Sequence, residues 1–483
     1  MPKVNTFDRN RPASSWHNLS WKDISAEVQS LRFRIFRCSR LGELKKLRRL
    51  QRLLINSGSL LLLAVRKVTQ SHTPGVDGQI AITPAGRYHL YKELKLLGVL
   101  NWKPRPVKRI YIPRPDGRLR PLGIPTRKDR VVQFVIKSAL EPEWEAKFEA
   151  SSYGFRPGRQ VNDAVGRLLR VMNQKKKLWV FEADVSKCFD CIDHSYLLNR
   201  IEFFPGYNLV EKWLKGGIFH DGIYFRTDDG TPQGSVISPL LCNIALNGIP
   251  EELGIKEWKN GRLFEAYTRG RTMIRYADDF VILTRTKRDA ESLYGELEPI
   301  LARRGLELST DKTKITDVVS GFDFLGFNLR LAKRFGRKYL ATHGFDETGE
   351  FSFLREEAMF SMASPSKKSF TKVKATLKSL FIQYSGKASP QLILKGNRVI
   401  RGWAISKRAW ECFGHFKALD NYLYILQYRF IKRRHQNKNV QWRVSKYFAL
   451  EKNPSKGYFY KWTFRDPQCS ELSGFGVKNM PER

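Results

Sequence analysis

Residues 272–284 read TMIRYADDFVILT, two apolar runs closed on an adjacent pair of aspartates. Short runs rich in Ile, Val, Phe and Tyr on both sides predict two strands with a tight acidic turn between them. Adjacent carboxylates repel each other, and apolar flanks withhold the water that would screen them. A chain that keeps Asp278 and Asp279 there must supply a cation or bear the cost. A third acid, Asp184, ends another short apolar strand, LWVFEADV at 178–185. The fold therefore has to be one in which strand ends converge.

The chemistry that suits such a set is narrow. Two Mg²⁺ ions about 3.5–4 Å apart promote in-line displacement at phosphorus by activating the attacking hydroxyl and neutralising the leaving group. Mg²⁺ prefers hard oxygen ligands and keeps several waters, so a few carboxylates on rigid elements suffice. Each acid taken alone has a blander reading, as a cap or a solvated turn residue. Together, each in the local sequence expected of it, they point to a metal site.

Around these strands the chain alternates in character. Leu41, Leu44, Leu47, Leu50 and Leu54 recur at helical spacing, with Lys45, Lys46, Arg48, Arg49 and Arg52 between them, so residues 20–70 are expected to be basic amphipathic helices. Residues 73–78, TPGVDG, form a turn, and 108–125, KRIYIPRPDGRLRPLGIP, predict a basic β-hairpin. Helices are expected over 130–147 and 287–304, and FDFLGFNLR near 325 predicts a strand pair. Ser, Pro and Lys cluster at 361–370, marking a boundary beyond which the chain is helical and basic to about residue 450. The fold class expected is α+β.

Charge defines the partner. There are 86 Lys and Arg against 47 Asp and Glu, a net charge of +39, and aromatic residues make up 12% of the chain. Self-repulsion on that scale is relieved by a polyanion. Aromatic rings interleaved with the cations suit base stacking as well as phosphate contact. A membrane surface is the rival partner, but the longest apolar run, Leu60–Val65, is far short of a span, and the polar opening of the chain is unlike a secretory signal. Of Cys38, Cys188, Cys191, Cys242, Cys412 and Cys469, only Cys188 and Cys191 are spaced as a CxxC pair, no second pair completes a zinc site, and all are expected to be reduced thiols.

The sequence blocks carry a resemblance. Tyr276-Ala277-Asp278-Asp279 resembles the YxDD box of reverse transcriptases. Phe181-Glu182-Ala183-Asp184-Val185, continued by Phe189-Asp190-Cys191-Ile192-Asp193-His194, resembles their first acidic strand, and Thr231-Pro232-Gln233-Gly234-Ser235 their PQG box. Arg120–Pro125, Tyr153–Gly158, Leu308–Ile315 and Phe324-Leu325-Gly326 fall in the family's order. One box alone is weak; ordered blocks over about 250 residues are strong. The flavour is that of group II intron-encoded proteins: 51–70 with the following GVDG resembles their N-terminal extension, and 402–442, with LDNYLYILQYRFIKRRHQ, their maturase or X domain.

That resemblance implies a right-hand polymerase of fingers and palm with an α-helical thumb and X domain. It divides the chain into an N-terminal extension (1–75), fingers and palm (76–360), thumb and X domain (361–460) and a tail (461–483). It implies two Mg²⁺ ions on Asp184, Asp278 and Asp279, with the Val185 carbonyl as a further ligand. Phe189 matches the aromatic steric gate under the sugar of the incoming nucleotide. Gln233, Arg120, Arg114 and Lys312 match nucleotide-binding positions, Arg being suited to bidentate phosphate contacts. Arg401, Trp403, Arg429, Lys432, Arg433, Arg434, His435 and Trp442 would form a basic, aromatic nucleic-acid surface. The partners implied are group II intron RNA, target DNA, template, primer and dNTPs, without membrane or zinc. The setting implied is a ribonucleoprotein in bacterial cytoplasm or an organelle that splices its intron and retrohomes. Two alternatives stay open: a splicing cofactor with a vestigial polymerase, and a domesticated enzyme without an intron. Many relatives end in a zinc-containing endonuclease with two CxxC pairs, and nothing after Tyr460 resembles it. Either target-strand cleavage is lacking or the sequence is a piece of a longer chain; if the absence is natural, the expectation is priming from an existing 3′ end, such as a nascent strand at a replication fork, and bottom-strand nicking by the ribonucleoprotein would overturn it.

Overall fold

The computed structural model describes residues 16–71, 74–78, 83–113, 117, 119–232, 234–255, 270–335, 338–340, 359–385, 389–452, 460–466 and 469–473. It is a mixed α/β chain in two compact units: residues 1–164 with 181–315, and residues 165–180 with 316–483.

The first unit opens on three helices, Trp21–Leu41, Leu44–Ile55 and Gly58–Val68. Ser20 and Ser57 cap the first and third by accepting from the amides of Asp23 and Leu60. Leu47, Leu50 and Leu54 are buried as their spacing predicts, but Leu41 and Leu44 are exposed, so the core stripe is narrower than the leucine run. These helices pack on Arg127–Glu145, the spine of the unit. Its start is fixed twice: Thr126 Oγ1 accepts from the Asp129 amide at 3.0 Å and donates to Asp129 Oδ2 at 2.5 Å. The Trp102 and Trp213 indoles also donate to Asp129, at 2.7 and 3.2 Å.

The basic hairpin forms as expected, from strands Val107–Pro113 and Leu119–Ile124 paired Lys108 to Ile124 through Pro113 to Leu119. Two short strands, Ile218–His220 and Ile223–Phe225, extend it to a four-stranded sheet. A second four-stranded sheet has the order Thr272–Tyr276, Asp279–Thr284, Trp179–Ala183, Lys314–Asp317. The acidic segment is thus a hairpin with Tyr276 paired to Asp279, leaving a two-residue turn of Ala277 and Asp278. The helix Lys287–Ala302 follows it.

In the second unit, strand Phe327–Phe335 pairs with Phe322–Phe324, Lys338–Leu340 and Met359–Pro365. The expected FDFLGFNLR pair is present, turning at Leu325 (φ 51°) and Gly326 (φ 77°). Lys407, 6% exposed, ties that turn by donating to the Gly326 carbonyl at 2.8 Å while its ammonium lies 3.6 Å from the Phe327 ring centre. Burial pushes its amine down to about 8. Helices Lys367–Gln383, Ser389–Lys407, Phe413–Arg434 and Val440–Tyr447 enclose a core that includes Leu377, Leu419 and Phe430. A three-stranded sheet of Phe448–Lys452, Tyr460–Asp466 and Cys469–Ser473 follows, in a stretch where the sequence predicts no strands. No described helix is long and apolar enough to cross a membrane.

Candidate active site

The strand Trp179–Ala183 delivers Asp184 at its end, and neighbouring chain holds it there. The Asp184 amide donates to Thr313 Oγ1 at 3.4 Å and its carbonyl accepts from the Ser309 amide at 2.8 Å. Val185 bridges Leu308 in the same contact. The segment that grips the strand end also brings Lys312, whose ammonium donates to Asp184 Oδ1 at 2.9 Å.

The other two acids come from the hairpin. Asp184, Val185, Phe189, Asp278, Asp279, Arg120 and Lys312 line one cavity of about 910 Å³. Asp279 opens onto that cleft, yet protein surrounds its carboxyl, and burial, then Asp278, then Asp184 push it up to about 6 against the pull of Lys312. Burial also raises Asp278, with Asp184 adding to it, while its own backbone hydrogen bond and the charges of Arg120 and Arg275 act downward. Carboxylates held in this way lack positive charge. Their hard oxygens and mutual repulsion fit Mg²⁺. Among the described residues, no three His, Cys, Asp or Glu side chains are grouped closely enough to hold a metal ion; the three acids share the cleft, with Asp184 paired to Lys312.

Phe189 sits on the short helix Cys188–Cys191, half-buried against the core, and its carbonyl accepts from the Thr231 amide at 2.5 Å. That bond joins Phe189 to the segment that begins at Thr231. Gly234 has φ 105°, and a Cβ there would meet the Gly123 carbonyl at 2.6 Å, so glycine lets the segment lie against the basic hairpin. Gln133, on the spine helix, accepts from the Val236 amide at 3.1 Å and fixes the far side. Gln233 itself and Arg114 lie outside the described residues.

Cys38, Cys188, Cys191, Cys242 and Cys412 are free thiols. Cys188 and Cys242 lie 3.8 Å apart; their hydrogen bond and burial raise the Cys188 thiol well above the usual range.

Of the residues expected to form a nucleic-acid surface in the second unit, Arg401, Arg429, Lys432, Arg433 and Arg434 are exposed. Trp403 is instead turned inward: its indole donates to Ser369 Oγ at 3.2 Å and its ring packs on Phe370 and Phe416. His435 caps its helix and meets the Tyr447 hydroxyl at 2.8 Å through Nε2. Trp442 is half-buried beside His435, with Lys438 and Lys446 over its ring.

Sequence reasoning passed over the support behind the acidic turn. Arg275, 1% exposed, donates to Asn243 Oδ1 (3.1 Å), the Ala277 carbonyl (3.3 Å) and Glu149 Oε2 (3.2 Å). An arginine within an apolar strand was the available signal, since a buried guanidinium demands partners.

Three family models match the chain in order: "N-terminal domain of reverse transcriptase" over residues 16–94, "Reverse transcriptase (RNA-dependent DNA polymerase)" over 112–329, and "Group II intron, maturase-specific domain" over 370–448. Protein YkfC of Escherichia coli (strain K12) is 36% identical over 328 residues, 60% of this chain and 85% of that one. The group II intron-encoded protein LtrA of Lactococcus lactis subsp. cremoris is 30% identical over 290 residues, 48% of each chain, so the chain spans about half the length of that relative. A putative COX1/OXI3 intron 1 protein of Saccharomyces cerevisiae is 27% identical over 322 residues, 56% of this chain and 38% of the other. With Asp184, Asp278, Asp279, Phe189, Thr231 and Pro232 lining one cleft, and a maturase-specific domain matched after them, the chain belongs to the group II intron reverse transcriptase and maturase family.

Proposed function

We propose that the protein synthesises DNA on an RNA template and, as a maturase, binds the group II intron RNA whose splicing it assists. The observation that carries the polymerase is the cleft itself: Asp184, Asp278 and Asp279 line one cavity together with Arg120, Lys312 and the half-buried Phe189. Asp184, Asp278 and Asp279, with the Val185 carbonyl, would hold two Mg²⁺ ions. When bound, those ions supply activation of the primer 3′-hydroxyl and charge neutralisation of the pyrophosphate.

The chain's own groups do the rest. Arg120, on the hairpin strand Leu119–Ile124, grips the triphosphate of the incoming dNTP, and Arg114 and Gln233 complete that site. Lys312, seated on Asp184 through one ammonium contact, is within the same cleft as the triphosphate and adds positive charge to it. Phe189 lies beneath the sugar and excludes a 2′-hydroxyl. The carboxyls of Asp278 and Asp279, raised by burial, hold protons more readily than free aspartate, so cation binding there would be favoured by higher pH.

In this reading residues 1–75 are the N-terminal extension, 76–360 the fingers and palm, 361–460 the thumb and X domain, and 461–483 a tail. The exposed Arg401, Arg429, Lys432, Arg433 and Arg434 meet intron RNA or target DNA, with His435 and Trp442 at the rim. The protein then remains with the excised intron as a ribonucleoprotein for retrohoming, in a bacterial cytoplasm or an organelle.

Primer extension on poly(rA)/oligo(dT) with dTTP and Mg²⁺ tests the polymerase. Wild type should extend, and Asp278→Ala should lose at least about 1000-fold, the scale for a group acting in the transition state, at unchanged RNA affinity. A folded wild type that binds intron RNA tightly and makes no DNA would leave only the maturase.

A further inference from the structure

Ala277, in the acidic turn, has φ 60°, a left-handed conformation that is strained for an L-residue with a side chain. A turn strained in this way relaxes by fraying or by shifting register, and either would carry Asp278 and Asp279 away from Asp184. Something outside the hairpin has to resist that motion.

We infer that Arg275 is a positioning residue for the metal-binding turn, acting through a frame made by Glu149, Asn243 and the backbone at Gly154. The inference rests on the polymerase reading of this site. One Arg275 nitrogen, Nη1, reaches the Ala277 carbonyl at 3.3 Å, inside the turn. The same nitrogen donates to Asn243 Oδ1 at 3.1 Å, and Nη2 donates to Glu149 Oε2 at 3.2 Å. Asn243, 1% exposed, uses its Nδ2 to donate to the Gly154 carbonyl at 2.8 Å. The backbone closes the frame: the Arg275 amide donates to the Ser151 carbonyl at 2.9 Å, and the Tyr153 amide donates to the Arg275 carbonyl at 2.8 Å.

Gly154 completes the frame by absence of a side chain. A Cβ there would lie 2.4 Å from the Ala277 nitrogen and 2.8 Å from the Tyr276 carbonyl carbon. One backbone is therefore seated directly on the strained turn, and only glycine permits the approach. A buried arginine that merely needed neutralising would require a carboxylate. Here the fork spans a carboxylate, an amide and the turn's own carbonyl, a set a single ammonium cannot reach together. Asn243 lies on the helix Ser238–Leu246, which follows the PQG segment, so the frame ties the acidic turn to the chain that borders the nucleotide site.

The test uses the full-length protein with Mn²⁺ as the probe, read by electron paramagnetic resonance, beside primer extension. For Arg275→Met and Gly154→Ala, Mn²⁺ affinity and kcat should each fall about 10- to 100-fold, as for loss of support behind metal ligands, while KM for dTTP and the Kd for RNA stay within about two-fold. Arg275→Lys, which keeps the charge but not the fork, should fall between. If Arg275→Met does not fold, Arg275→Lys decides, because it keeps the buried charge and loses only the fork. A folded Arg275→Met or Gly154→Ala with wild-type Mn²⁺ affinity and kcat would overturn the inference. A wild type that makes no DNA and binds Mn²⁺ no better than Asp278→Ala would overturn the polymerase reading itself.

Discussion

Asp279 shows how a single carboxyl records what the site is built to hold. Its pKa is pushed up to about 6, first by burial and then by Asp278 and Asp184. In an unfolded chain aspartate titrates near 4, roughly 3.9. The folded state therefore binds this proton more tightly. Ionising Asp279 costs stability as pH rises from about 4 to about 6, and the deficit stays constant above that. Asp279→Asn removes the cost, so in EDTA at pH 7.5 the variant should be more stable than wild type by on the order of 1 kcal/mol, a figure reduced because the side chain opens on solvent. At pH 4 the two should melt together. Melting curves at both pH values decide it; a variant that melts lower at pH 7.5 would mean the carboxylate is stabilised in the fold. Phe189 makes a separate prediction on selectivity. Phe189→Ala should raise the kcat/KM for UTP relative to dTTP by at least about ten-fold, the size of a steric pocket effect. An unchanged ratio would leave Phe189 as core packing alone.

The helix Arg127–Glu145, on which the first three helices pack, has a seating that is itself testable. Glu143, with a side chain 3% exposed, accepts from Arg48 at 2.5 Å, Lys147 at 2.7 Å and Gln51 at 2.8 Å. Burial alone would raise its pKa, but the Arg48 hydrogen bond and the Lys147 and Arg48 charges prevail and hold it below the usual carboxylate range. Breaking a buried pair costs about 3–5 kcal/mol, and Arg48→Met should approach the lower figure because Lys147 and Gln51 remain. A depressed carboxyl stabilises above its unfolded pKa and loses that contribution as pH falls through the folded one. The gap in urea midpoint between wild type and Arg48→Met should therefore be wide at pH 7 and narrow near pH 3. A gap independent of pH would assign the loss to packing. The same helix shows why some of this was legible and some not. Strand and hairpin signals are local, and TMIRYADDFVILT and the basic hairpin formed where their patterns predict. Partners far apart in sequence leave no such trace: Arg275 meets Glu149 across 126 positions and Asn243 across 32. Trp403 misled because aromatic and basic residues at helical spacing describe a core stripe as well as a binding face.

Across the whole molecule, the excess of 86 basic over 47 acidic residues far exceeds what internal ion pairing can absorb, and folding alone gives no reason for it. Buried arginines such as Arg271, held by Asp289 and Glu296, and Arg304, held by Glu252, consume acids in structural pairs. What remains is a surface of unbalanced positive charge, of which Lys432, Arg433 and Arg434 at the end of the helix Phe413–Arg434 are an exposed cluster. Cations at a helix C-terminus are favourable to the helix as well, so their presence there does not by itself prove a ligand. Salt dependence separates the two roles. Each phosphate contact to single-stranded RNA contributes about 0.7 to the slope of log affinity against log salt concentration. Replacing all three residues by alanine should therefore lower the slope for RNA by about 2, with the affinity loss greatest at low salt. Equilibrium titrations across a salt series measure it directly. An unchanged slope with a lowered melting temperature would place the cluster in helix capping, and a reduced slope at an unchanged melting temperature would place it on the nucleic acid.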